Sequence, residues 1–267
     1  MVRDIRSKPL KKLKYSCFLF LKPCFILISH GIIPAIETTS SLEPQEYRMS
    51  QYKEKCDAIV KALGEVKVVP VLAIEKVEDG IKMCEVLNDC GLKAAEITFR
   101  TKAAEGIIKE AARQFPELVL GAGTVLTLEE LHRAFDAGAQ FAVAPGFNPV
   151  IVAEAVQSGY PFFPGFCTPS ELEQIMQFGI RMVKFFPAEA MGGTKMLSNF
   201  IGPYKHMGIK VMPTGGVNTG NLGDYLSIPQ IPCAGGTWVG KAADIESGNW
   251  DKISGIVKEA VELAKKY

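Results

Sequence analysis

One lysine in this chain is hard to place on a surface. Lys184 lies inside MVKFFP, an apolar run of strand-forming residues. Lysine is almost never fully buried unless paired. An apolar setting disfavours the charged form of an amine, and a neutral amine is a nucleophile toward a carbonyl carbon. A second unusual set lies in AEITFR, where Glu96, Thr98 and Arg100 occupy alternate positions. On an extended strand all three face one side. A carboxylate near such an amine can move the protons that carbinolamine dehydration and carbanion chemistry require, which makes Glu96 the candidate acid/base. The planar fork of Arg100 suits a substrate carboxylate. The hydroxyl of Thr124, in GAGT, can hold a carboxylate or carbonyl oxygen. Each residue also has a plainer alternative. Lys184 and Glu96 can be a structural ion pair, Arg100 a solvated loop residue, and Thr124 the cap of the helix that follows.

Two glycine pairs extend the set. PTGG (213–216) and AGGT (234–237) each follow a short apolar run. Gly-Gly lets backbone N–H groups approach an anion, or simply makes a tight turn with positive φ. MGG (191–193) offers the same two options. His30, His132 and His206 are far apart, and the seven cysteines include no CxxC. No metal-ligand spacing is present, so neither metal nor other cofactor is expected. His132 and His206 read as surface residues, Phe185 and Phe186 as packing, and Cys167 as a bystander thiol.

The elements that must position these residues alternate. After an opening helix over about 50–63, eight short apolar runs alternate with helical segments. The runs are VKVVPVLAI, KAAEITF, LVLGAG, QFAVAPG, PFFPG, RMVKFFP, IKVMPTGG and IPCAGG. Near-continuous apolar runs mark parallel strands buried on both faces. Eight βα units in about 200 residues point to a (β/α)8 TIM barrel, here with an extra N-terminal helix. In a barrel, chemistry sits at the carboxyl ends of strands, and phosphate sites favour the loops after strands seven and eight. Those loops are PTGG and AGGT. An open doubly wound sheet would offer GxGxxG after its first strand, whereas this first strand runs into LAIEK.

Composition and charge bound the function. The 267 residues are 48% apolar and 22% charged, with a net charge of +1. Disordered chains are poorer in apolar residues, and nucleic-acid binders carry a basic excess. The first 48 residues hold eight basic and four acidic side chains, a charge of +4, leaving 22 basic and 25 acidic thereafter, a charge of −3. In this head, Lys22 and Pro23 split an apolar run into pieces shorter than the roughly 18–20 residues of a membrane span. LISHG is a poor cleavage site for a secretory signal. Residues 1–48 are therefore expected to be an upstream extension outside the working protein, which is a single domain over 49–267. Scattered thiols imply a reduced, cytoplasmic setting, with no membrane and no nucleic acid as partner.

Taken in order, VVPVLAI, AAEITFRT, GAGTVL, APGF, PGFCTPSE, VKFFPAEAMGG, PTGGV and AGGTW resemble the 2-keto-3-deoxy-6-phosphogluconate aldolases. These overlap with the 4-hydroxy-2-oxoglutarate aldolases. The resemblance runs from about Val66 to Lys265, and KFFPAEA with the following GG is its most specific part. It implies a class I aldolase on a (β/α)8 barrel, assembled as a homotrimer. It implies that Lys184 forms the Schiff base, that Glu96 is the general acid/base, and that Arg100 and Thr124 hold the pyruvyl carboxylate. Thr214, Gly215, Gly216, Gly235, Gly236 and Thr237 would surround a phosphate; the family often has Ser where Thr237 stands. The implied reaction is cleavage of a phosphorylated 2-keto acid to pyruvate and glyceraldehyde 3-phosphate. Cleavage of 4-hydroxy-2-oxoglutarate to pyruvate and glyoxylate is implied as well. Two other readings compete. A barrel epimerase or isomerase would share the phosphate loops without needing a buried lysine, and a non-catalytic sugar-phosphate binding protein would lose the Lys–Glu pair.

Overall fold

A computed structural model describes residues 45–267; the head up to residue 44 lies outside the described residues. The chain opens with α1 (Gln45–Val66), which begins earlier and ends later than the sequence reading of about 50–63. Its first turn crosses the 48/49 position, because nothing between Gln45 and Met49 breaks a helix.

Strands and helices then alternate. β1 (Val68–Leu72), α2 (Val77–Asp89), β2 (Ala94–Thr98), α3 (Ala104–Gln114), β3 (Val119–Gly123) and α4 (Leu128–Asp136) make the first half. β4 (Phe141–Val143), α5 (Pro149–Ser158), β5 (Phe162–Phe163), β6 (Gly165–Phe166) and α6 (Pro169–Gln177) follow. The last part holds β7 (Met182–Phe185), α7 (Gly193–Ile201), a 3-10 turn (Gly202–Met207), β8 (Lys210–Pro213) and α8 (Leu222–Leu226), then β9 (Ala234–Gly236), α9 (Ala242–Glu246) and α10 (Trp250–Ala264). The five-residue α9 and the 3-10 turn are additions to the sequence reading; both are too short to show a helical period.

Local chemistry sets the helix starts. Asn148 accepts the Val150 N–H at 3.0 Å with Pro149 in the first turn of α5. Thr168 and Glu171 form a reciprocal capping box on α6, again with proline in the first turn. Gly159 ends α5 in the left-handed conformation.

Every paired strand runs parallel. The ladders give one sheet ordered β5-β4-β3-β2-β1-β9 and another ordered β6-β7-β8. The result is an α/β fold with a curled parallel sheet, not one uninterrupted ring of eight strands. The fifth apolar run is split, with β5 pairing to β4 and β6 to β7. Pro164 lies between them; it has no N–H to give a ladder, although its carbonyl accepts from Lys184 N at 2.9 Å. Thr214, one residue past β8, makes a parallel bridge to Gly235.

The interior of the curl is layered with a period of two residues. Val69, Ala94, Phe141, Phe163, Met182 and Met212 form a buried apolar cluster with Leu63 of α1, and Cys56, Ile59 and Val60 pack against it. α1 therefore closes the end of the curl where the strands begin. Two residues further along, Val69, Ala94, Met182 and Met212 give way to Val71, Glu96, Lys184 and Thr214. Apolar side chains form the floor, and Glu96, Lys184 and Thr214 stand above it beside Val71, at the carboxyl ends of the strands. Among the described residues, no helix is long and apolar enough to cross a membrane.

Candidate active site

The polar layer opens into a cleft lined by Glu96, Thr98, Arg100, Thr124, Lys184, Thr214, Gly215, Gly216 and Thr237, with Val71, Pro145 and Phe186 as apolar wall. Residues from the ends of seven strands thus converge, although Glu96 and Lys184 lie 88 positions apart. Lys184 Nζ stands 3.0 and 3.1 Å from the two Glu96 carboxylate oxygens. The two side chains are only 6% and 1% exposed. A single proton transfer along this contact converts ammonium and carboxylate into amine and carboxylic acid.

Close packing holds the pair. Glu96 faces Gly121 in the β2–β3 register, and Thr98 faces Gly123. A Cβ on Gly123 would lie 2.2 Å from Glu96 Oε1. Only glycine leaves space for this carboxylate. On the other side, Gly165 pairs with Lys184 in register, and a Cβ there would lie 2.1 Å from the Pro145 carbonyl oxygen.

The β2 triad holds together as its alternation implies. The buried Thr98 hydroxyl donates to Leu72 O at 3.0 Å and accepts from Arg100 Nε at 3.3 Å. Arg100 is exposed along the cleft, but the Nε edge of its guanidinium is tied down. Thr98 had a place in the sequence reading but no role; the alternation was the available signal. Thr124 does not cap α4. That work falls to Thr127, which accepts the Glu130 N–H at 3.1 Å. Thr124 instead has a left-handed backbone with φ 57°. For a β-branched residue this is a strained conformation, of order 1–3 kcal/mol, and such strain clusters at functional sites.

The glycine pairs behave differently from one another. Gly215 and Gly216 line the cleft in consecutive left-handed conformations, φ 97° and 84°. Gly235 and Gly236 belong to β9 and pair with Val69 and Pro70 of β1. They sit behind the wall, where the spaces their side chains would fill are taken by Thr214 Oγ1 and the Trp238 ring. Thr237 completes the rim. The buried Thr214 hydroxyl has no hydrogen-bond partner among the described residues.

Phe186 corrects the packing assignment. Phe185 is fully buried in the core, while Phe186 lines the cleft with its ring centroid 5.9 Å from Lys184 Nζ. MGG makes the turn into α7 and lies outside the cleft wall. His132 pairs with Glu154 at 3.2 Å, away from the cleft. Burial and the neighbouring Glu171 carboxylate push the Cys167 thiol up, which disfavours a reactive thiolate. Among the described residues, no cluster of three His, Cys, Asp or Glu could hold a metal ion.

Comparison with known proteins gives the class first: aldolases on an α/β fold. The family model for KDPG and KHG aldolase matches residues 59–256. A 2-dehydro-3-deoxy-phosphogluconate aldolase of Haemophilus influenzae is 42% identical over 207 residues, covering 78% of this chain and 97% of the relative. The KHG/KDPG aldolase of Escherichia coli is 38% identical over 217 residues, covering 81% and 100%. A crystal structure of KDPG aldolase from Legionella pneumophila, with pyruvate captured at low pH as a covalent carbinolamine intermediate, superposes with a TM-score of 0.72. It is 34% identical and covers 77% of this chain and 97% of its own. The Zymomonas mobilis ZM4 enzyme, solved with 3-phosphoglycerate, has a TM-score of 0.69 at 33% identity, covering 77% and 94%. The chain belongs to the KDPG and KHG aldolase family.

Proposed function

We propose that this chain is a Schiff-base aldolase in which Lys184 attacks the C2 carbonyl of a 2-keto-4-hydroxy acid and Glu96 moves the protons. The observation that carries this reading is the buried 3.0 Å contact between Lys184 Nζ and the Glu96 carboxylate at the floor of the cleft. Glu96 accepts a proton from the lysine, leaving a neutral nucleophile. Attack gives a carbinolamine, and protonation of its hydroxyl releases water and leaves a protonated imine. Glu96, now a carboxylate, takes the proton of the C4 hydroxyl. The C3–C4 bond breaks, its electron pair passes into an enamine, and C4 leaves as an aldehyde. Protonation of the enamine at C3 and hydrolysis release pyruvate and return the amine. The imine supplies the electron sink, so no step calls on a metal.

Arg100 and Thr124 hold the carboxylate of the pyruvyl half. Thr214, Gly215, Gly216 and Thr237 receive the phosphate of 2-keto-3-deoxy-6-phosphogluconate, while Gly235 and Gly236 let that wall close up behind Thr214 and Trp238. The carbinolamine of the Legionella relative and the phosphorylated ligand of the Zymomonas relative support both halves of this assignment. The eight βα units close into a (β/α)8 barrel, a reading supported by the single proline between β5 and β6 and by the Thr214–Gly235 bridge. The working domain begins near Met49, the family likeness supports a homotrimer, and the free thiols at Cys56, Cys84, Cys90, Cys167 and Cys233 support a cytoplasmic setting. The test is direct. The purified chain should release pyruvate and glyceraldehyde 3-phosphate from 2-keto-3-deoxy-6-phosphogluconate, and Lys184→Ala should not. Turnover by Lys184→Ala would overturn the assignment.

A further inference from the structure

The Gly215–Gly216 loop is held in its left-handed shape from several sides. Thr214 O accepts from Ala188 N at 2.8 Å, and Gly215 O accepts from Glu189 N at 3.0 Å. Gly216 O accepts from the side-chain amides of Asn218 and Asn221 at 3.0 and 3.2 Å. These contacts fix the carbonyls. Gly235, bridged in parallel to Thr214, flanks the same loop on its other side.

One further contact lies outside the cleft wall. The Glu189 side chain stands directly behind Gly216, where an added Cβ would lie 2.6 Å from Glu189 Cβ and Cγ. Its carboxylate accepts a hydrogen bond from the Tyr225 hydroxyl. Tyr225 is fully buried in α8. Burial, then the Glu189 contact, pushes its phenol well above the usual range, so it remains a donor. The pair therefore anchors a solvent-facing loop to the buried body of the fold.

We propose that Glu189 and Tyr225 form a strut that presets the Gly215–Gly216 loop for phosphate and so sets the preference for phosphorylated over unphosphorylated 2-keto-4-hydroxy acids. The inference rests on reading this loop as the phosphate site. Neither residue lines the cleft, so both act through the loop as positioning residues. A loop already in its bound shape loses less conformational freedom on binding.

The experiment compares Tyr225→Phe with the unaltered chain on 2-keto-3-deoxy-6-phosphogluconate and on 4-hydroxy-2-oxoglutarate, with inorganic phosphate as inhibitor. In Tyr225→Phe, KM for the phosphorylated substrate should rise about tenfold, as for loss of a hydrogen bond to a charged group. Inhibition by phosphate should weaken by a similar factor. KM for the unphosphorylated substrate and both kcat values should move less than about twofold. Glu189→Ala removes the same contact from an exposed position and should reproduce the shift even if Tyr225→Phe folds poorly. If the unaltered chain discriminates and both variants keep its KM values, the strut is overturned and the phosphate reading survives. If both KM values rise together, the strut is likewise overturned, because the effect is general. If the unaltered chain neither prefers the phosphorylated substrate nor is inhibited by phosphate, the phosphate reading falls and the strut with it.

Discussion

Gly123→Ala perturbs the site by a single methyl group. The new Cβ would stand 2.2 Å from Glu96 Oε1, 2.7 Å from its Cγ and 2.8 Å from its Cδ. Ordinary contact begins at 3.4 Å, so the carboxylate is about 1.2 Å too close and must retreat. Glu96 is fully buried, and a retreat of this size disturbs the 3.0 and 3.1 Å contacts to Lys184. A misplacement of about 1 Å in a catalytic group costs on the order of 100-fold in rate, near 2.7 kcal/mol of activation free energy. Overpacking adds a stability cost of about 1–3 kcal/mol. Gly123 does not have a left-handed backbone, so alanine imposes no φ strain and the variant should fold. Pyruvate release and thermal melting belong on the same preparation. Gly146→Ala serves as control, because no atom lies within 4 Å of its added Cβ. Turnover by Gly123→Ala within about threefold of the unaltered chain would refute the reasoning, since the position of Glu96 would then not matter.

Glu96→Gln keeps the size and most hydrogen bonding of Glu96 but removes the proton acceptor, so turnover should fall on the order of 100-fold or more while the fold survives. A variant that melts far earlier, by the roughly 3–5 kcal/mol of a broken buried pair, yet turns over normally would make Glu96 purely structural. Thr98→Val is nearly isosteric and removes the acceptor that steadies Arg100 at 3.3 Å. KM for the keto acid should rise about 2–10-fold with kcat nearly unchanged, and an unchanged KM would free Arg100 of that support. A chain beginning at Met49 keeps Tyr52, Cys56, Ile59, Val60 and Leu63, the α1 residues that close the floor. It should match the full chain in solubility and activity; failure of both would move the boundary upstream.

What could be read from the sequence divides along a physical line. Strand periodicity places residues on a face, so Glu96, Thr98 and Arg100 were legible as one set and Lys184 as an anomaly in its strand. The meeting of Lys184 with Glu96 was legible only as a possibility, because a contact across 88 positions depends on how the sheet curls. The same limit applies to Gly123 and to Gly235, whose need for glycine comes from the side chains of Glu96 and Thr214 on other strands. Local chemistry left two roles open at Thr124, and the neighbouring Thr127 takes the cap. It misled at Phe186, whose exposure to the cleft depends on where β7 ends. The break at Pro164 follows from proline's missing N–H, yet the run PFFPG is too short to reveal two separate pairings. The start of α1 was missed by several residues because helix propensity carries on smoothly through Met49.

The central claim is that Lys184 forms the imine. Incubation with pyruvate and borohydride reduces such an imine to a stable secondary amine. Activity should be lost, and peptide mass mapping should find the added three-carbon acid on the peptide that contains VKFFPAEA. Lys184→Ala should take up no label. Labelling on a different lysine, or full activity with no label after reduction, would contradict the mechanism.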